Sequence, residues 1–155
     1  MNISIFAPTG SFGSIEEASI AEDSLDWQAA PGGSHRACTL SFAAVEMRDH
    51  LVRVPEIKCH LAALEHESSE QVRADIKITI TTLQDQKKRV DDIGSQGYQL
   101  STEIDKAGNP LGYMVLGNDA QGALYGTYEL LHAFGFRWFS PDPWDQIAPS
   151  KYVFQ

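Results

Sequence analysis

A chain of 155 residues, 43% apolar and 21% charged, is the size of one domain and can bury about two thirds of its unfolded surface, which excludes a disordered tail. Twelve Lys and Arg against 21 Asp and Glu give a net charge of −9, a field that repels phosphate backbones and anionic lipid, so no nucleic acid and no membrane partner is expected. No apolar run approaches the ~20 residues that cross a bilayer, and the length falls short of the ~200 residues or more of a (β/α)₈ barrel.

The opening Met1-Asn2-Ile3-Ser4-Ile5-Phe6 lacks the basic and long apolar regions of a secretion signal. Ile3 and Ile5 alternate with polar neighbours and predict an edge strand. From Pro8 to Gly33 the chain is rich in Gly, Ser, Pro and acidic residues, which predicts loops and one short helix around Ser14–Ala21. Pro31-Gly32-Gly33 then punctuates the chain. Leu40, Ala44, Met47, Leu51 and Val54 recur on one helical face, and Pro55 stops that helix because it cannot donate a backbone hydrogen bond.

Strands follow. Ile57, Cys59, Leu61 and Ala63 alternate with Lys58, His60 and Ala62, and Glu65 to Arg73 forms a polar connection. Ile76, Ile78 and Ile80 alternate with Lys77, Thr79 and Thr81, the clearest strand in the chain. A long polar loop is predicted over Gln84–Gln96. Tyr98, Leu100, Thr102 and Ile104 make another strand; Asp105–Pro110 turns, and Tyr113–Leu116 returns as a hairpin. The returning strand is apolar on both sides and is expected to be central.

A second helix is expected to start at Asn118, with Gln121 at capping-box spacing. Its expected buried stripe is Ala120, Leu124, Thr127, Leu131 and Phe134, closed by Gly135. Gly122 and Gly126 each cost about 1 kcal/mol against Ala in a helix, which is tolerable if the helix backbone lies close to the sheet. Phe136–Phe139 reads as a short strand or extended exit, followed by the stiff Ser140-Pro141-Asp142-Pro143-Trp144. The predicted fold is α+β: a two-layer sandwich whose sheet is mixed or mainly antiparallel, with two main helices on one face. Residues 1–34 read as a poorly defined N-terminal segment, 35–140 as the α+β domain and 141–155 as an exit segment.

Catalytic constellations are sparse. His60, Glu65, His66 and Glu67 lack metal-ligand spacing and read as a solvated loop, and Cys38 and Cys59 stand alone, so no metal is expected. Both cysteines are expected to be free, buried thiols. Gly117 and Gly122 have the spacing of a phosphate loop, but Ala123-Leu124 replaces its Lys-Ser/Thr, so no nucleotide cofactor is expected. No nucleophile elbow occurs. Cys59 with His60 or His132 reads as packing rather than catalysis. The paired carboxylates Glu16-Glu17, Asp91-Asp92 and Asp142/Asp145 lie in loops, and sequence neighbours point apart. No catalytic residue is therefore assigned. The unusual feature is aromatic: Trp138, Phe139, Trp144, Tyr152 and Phe154 crowd the C-terminal end. Such rings stack on sugars, seal an interface or pack under a sheet. Trp138, Phe139 and Trp144 are the candidates for the interface or stacking role.

Gly97-Tyr98-Gln99-Leu100-Ser101-Thr102-Glu103, the run Leu116-Gly117-Asn118-Asp119-Ala120-Gln121-Gly122-Ala123-Leu124-Tyr125-Gly126-Thr127-Tyr128-Glu129-Leu130-Leu131, and the exit Gly135-Phe136-Arg137-Trp138-Phe139-Ser140-Pro141 with Ile147-Ala148-Pro149 together resemble the small N-terminal domain of large glycoside hydrolases. The resemblance is to the α-glucuronidases, the β-N-acetylhexosaminidases and related bacterial proteins. Gln121 departs from the pattern, where Arg is common. The resemblance implies a two-layer α+β sandwich without catalytic carboxylates, those being carried by a TIM barrel that follows. It also implies a secreted or periplasmic setting. The expected function is a non-catalytic accessory domain packing on its own catalytic barrel, which lies outside this chain. The alternatives are a stand-alone carbohydrate-binding or protein-interaction module, and a small enzyme whose site the sequence does not display.

Overall fold

The computed structural model describes residues 1–29, 32–66, 74–87, 93–138 and 146–151. In chain order its elements are β1 (Asn2–Ala7), α1 (Ile15–Ser19), α2 (Gly33–Leu51), β2 (Lys58–Ala63), β3 (Ile76–Thr82), β4 (Tyr98–Ile104), β5 (Pro110–Gly117), α3 (Ala120–Ala133), β6 (Arg137–Trp138) and β7 (Gln146–Ile147). Strands β1 to β5 form one sheet in the order β2-β1-β3-β5-β4, and β6 pairs with β7 in a small separate ribbon. Among the described residues no helix is long and apolar enough to cross a membrane.

The mixed sheet is present, but its balance is the reverse of mainly antiparallel. Pairs β1–β2, β1–β3 and β3–β5 are parallel, and the β4–β5 hairpin alone is antiparallel. The connection through α2 is a crossover that sets β2 parallel to β1. The edge-strand expectation for Ile3 and Ile5 is also corrected, because β1 lies between β2 and β3. The hairpin and the inner position of β5 are as expected.

Register explains the core. Ile3 and Ile5 oppose Ile76 and Ile78, while Ile78 and Ile80 oppose Tyr113 and Val115. These side chains share the face against which α2 and α3 pack. The stripe Leu40, Ala44, Met47, Leu51 and Val54 is buried throughout, with exposures of 2% or less. Fully burying a side chain of this size stabilises by about 1.5–3 kcal/mol.

On α3 the stripe is rotated from the expected one. Gly122, Ala123, Gly126, Thr127, Leu130 and Leu131 are buried, while Ala120 and Leu124 are half-buried. Gly122 and Gly126 turn inward because only a residue without a side chain fits there. A Cβ on Gly122 collides with the Gly97 carbonyl oxygen, and one on Gly126 sits 2.8 Å from Val115 Cγ1 and 3.0 Å from Tyr98 Cγ. The cap shifts as well. Asp119, not Asn118, caps α3: one carboxylate oxygen accepts from Gly122 N at 2.8 Å and the other from Gln96 N at 2.8 Å. Gly135 follows α3 at φ +100°, the left-handed closure expected of it.

Candidate functional site

The C-terminal ends of α2 and α3 and the β6–β7 ribbon meet in an aromatic junction. Phe136 is fully buried, and Trp138 packs partly buried against the same core. The His50 ring makes edge contacts with Phe136 at 5.6 Å and Trp138 at 5.3 Å, and Tyr128 meets Trp138 edge-on at 5.7 Å. The Trp138 indole N–H donates to His50 Nε2 at 3.3 Å. An indole nitrogen only donates, so Nε2 carries the lone pair and Nδ1–H donates to the Glu46 carbonyl at 2.8 Å. The Tyr128 hydroxyl donates to Glu46 Oε2 at 2.8 Å. Burial, then the hydrogen bond to and the negative charge of Glu46, push the Tyr128 hydroxyl well above its usual range, so it stays protonated as a donor.

Further bonds hold the ribbon down. Arg53 Nη1 donates to Gln146 Oε1 at 2.7 Å, and Arg137 Nη1 donates to the His132 carbonyl at 2.6 Å. Outward from this junction lies a shallow groove of about 400 Å³, lined by Tyr98, Tyr125, Tyr128, Glu129, His132 and Trp138. Tyr125 is 45% exposed and Tyr98 38%. The four rings come from β4, α3 and β6.

Of the residues singled out from sequence, Trp138 is thus placed with its ring engaged on three sides by its own domain. Phe139 and Trp144 lie outside the described residues, as do Tyr152 and Phe154. Tyr98, Tyr125 and Tyr128 were not anticipated as site residues. The available signal was the pair Tyr125 and Tyr128, three apart on a helix and off its apolar stripe.

The candidate chemistry elsewhere is taken up by structure. The Glu65 carboxylate accepts from Thr9 N and Gly10 N, both at 3.0 Å, so it fastens the loop after β1 while remaining exposed to solvent. Glu17 accepts from Gly13 N at 2.8 Å, and Glu16 lies 3.6 Å from Arg48. Asp91, Asp92, Asp142 and Asp145 lie outside the described residues. Among the described residues there is no group of three His, Cys, Asp or Glu able to hold a metal ion. Both cysteines are free; Cys38 is buried and Cys59 half-buried.

Burial pushes the Cys59 thiol up to about 11, against a weaker opposing pull from Arg48. A thiol held that high is a poor nucleophile at neutral pH. Alkylation of Cys59 by iodoacetamide at pH 8 is expected to run about 100-fold slower than that of an unfolded cysteine, in proportion to thiolate content. Peptide mass spectrometry reads the rate. The sign for stability follows: a folded value above the unfolded one contributes stability below about pH 9, and this is lost as pH rises toward 11. Rapid labelling of the folded protein at pH 8 would restore Cys59 as a nucleophile candidate.

The fold and the junction define a class: a two-layer α+β domain with a fastened C-terminal ribbon and an aromatic outer face. The family described as glycosyl hydrolase family 67 N-terminus matches residues 14–130, and the chain belongs to that family. It is thereby an N-terminal accessory domain of a glycoside hydrolase, on the α-glucuronidase side of the resemblance. No curated protein matches the chain.

Proposed function

We propose that this domain is non-catalytic and packs through the face formed by Tyr98, Tyr125, Tyr128 and Trp138 against the catalytic barrel of a glycoside hydrolase. One observation carries the reading. Four aromatic rings from three separate elements converge beside the ribbon where the chain leaves the sandwich. Tyr and Trp are enriched at the buried centres of protein interfaces, where their rings supply contact area at little entropic cost. The junction behind them is packed ring on ring and hydrogen-bonded through His50 and Glu46, which favours a pre-shaped face that loses little freedom on docking. The carboxylates of Glu17, Glu65 and Asp119 accept backbone N–H groups, which suits a structural domain rather than an acid–base site. Trp138 is less suited to stacking on a sugar, because its ring already packs on His50, Phe136 and Tyr128.

The test is binding in trans. A family 67 catalytic barrel, produced separately, is titrated with this domain by calorimetry. The parent domain is expected to bind, and Tyr125→Asp to weaken binding at least tenfold, because a charge at a desolvated centre lacks a partner. Binding unaltered by Tyr125→Asp would place the interface elsewhere, and no binding at all would count against docking.

A further inference from the structure

A second concavity lies at the other end of α3. A crevice of about 470 Å³ opens beyond the C-terminal ends of β3 and β5, and Trp27, the first turn of α2, and the loops before β4 and α3 supply its walls. This is the end of a parallel sheet where crevices form between departing loops, and the volume falls within the ~300–1,000 Å³ of pockets that hold small organic ligands.

The chemistry of its walls narrows what fits. The Trp27 ring is 52% exposed. Its indole N–H is committed to the Glu22 carbonyl at 2.8 Å, and His35 braces it edge-on at 5.0 Å. A fixed aromatic face thus looks into the crevice. The charged groups are engaged by the fold: Arg36 Nε donates to Asp85 Oδ1 at 2.9 Å in an ion pair, and both carboxylate oxygens of Asp119 accept backbone N–H groups. Among the described residues that line the crevice Arg36 is the one Lys or Arg, and it is held by Asp85, while the chain's net charge of −9 opposes a phosphate. The side-chain amides of Asn118 and Gln96 have no hydrogen-bond partner among the described residues. An apolar ligand would leave such amides unpaired at a cost, whereas a hydroxyl, itself donor and acceptor, satisfies both halves of an amide.

We infer that this crevice is a binding site for a neutral saccharide of one or two pyranose rings, with Trp27 as the stacking platform and the Asn118 and Gln96 amides bonding ring hydroxyls. This goes beyond the docking role, and neither reading depends on the other: the aromatic docking face begins at Tyr125, one helical turn further along α3 from Gln121.

Titration with xylobiose and cellobiose, followed by tryptophan fluorescence and by amide and indole NMR shifts, tests the site, with glucuronate and inorganic phosphate as charged probes. Saturable shifts are expected at the Trp27 indole and the Asn118 amide, with dissociation constants near the millimolar range typical of few contacts. Trp27→Ala is expected to weaken binding at least tenfold, Asn118→Ala several-fold, and Trp27→Phe to retain part of it. Trp27→Phe and Asn118→Ala keep the local packing, so they decide the matter if Trp27→Ala unfolds. Silence up to about 50 mM disaccharide, shifts centred on Tyr125 and Trp138, binding indifferent to Trp27→Phe and Asn118→Ala, or stronger binding of phosphate would each overturn the inference.

Discussion

Gly122→Ala is expected to cost about 3 kcal/mol or more, the upper range for forcing atoms into a filled core, although the substitution ordinarily favours a helix by about 1 kcal/mol. A Cβ at this position meets the Gly97 carbonyl oxygen, with the Gln96 and Gly97 carbonyl carbons 3.0 Å away. All of these are backbone atoms. They are held by the Asn118 N–H bonded to Gly97 O at 2.8 Å and by the Asp119 cap, so they cannot retreat without opening the approach of α3 to β4. Gly126 provides the contrast. Its neighbours are the Val115 and Tyr98 side chains, which can shift, so Gly126→Ala is expected to change stability by about 1 kcal/mol or less once helix propensity offsets the crowding. Gly126→Leu exceeds what those side chains can yield and is expected to cost several times more. Urea unfolding measures all three through the shift in midpoint at constant slope. Equal midpoints for Gly122→Ala and Gly126→Ala would show that the helix does not approach the sheet this closely.

Trp138→Ala is the second large effect. It removes the ring that packs on His50, Phe136 and Tyr128 and leaves His50 Nε2 without its donor. Burial of Trp138 is incomplete, so the loss is expected near the lower end of the ~3–5 kcal/mol range for Trp→Ala changes. Trp138→Phe separates the contributions. It keeps most of the packing and deletes the indole N–H, and about 1 kcal/mol is expected for the abandoned acceptor. Hydrogen exchange gives a second readout: amides of the β6–β7 ribbon are expected to lose protection in Trp138→Ala while those of β3 keep theirs. A Trp138→Ala variant as stable as the parent would mean that the ribbon is not fastened through this ring.

Much of this architecture is legible in the sequence where a signal is local. The Ile76–Ile80 alternation, the Asp105–Pro110 turn and the period of Leu40 to Val54 depend on neighbours along the chain, and each finds its element, although α2 ends at Leu51, short of Val54 and Pro55, and β5 already begins at Pro110. The failures are non-local. An inner strand with parallel partners usually reads as a continuous apolar run, but in β1 Asn2 and Ser4 alternate with Ile3 and Ile5, and so it reads as an edge. Which strands are parallel depends on where α2 returns the chain, a fact of packing rather than of composition. The α3 stripe is rotated because Gly122 and Gly126, which have no side chain to score as apolar, occupy the closest approach. At the site, the aromatic crowding around Trp138 is visible from composition, but its partner His50 lies 88 residues away. The Trp27 crevice is assembled from separated loops, and no motif announces it.

The most direct test of the account is a turnover assay of the domain by itself on aryl-glycosides and uronosyl oligosaccharides. The account predicts hydrolysis no faster than in buffer, because the carboxylates of Glu17, Glu65 and Asp119 are taken up by backbone N–H groups. Steady turnover that persists through purification and disappears when a single carboxylate of this chain is replaced by its amide would contradict it.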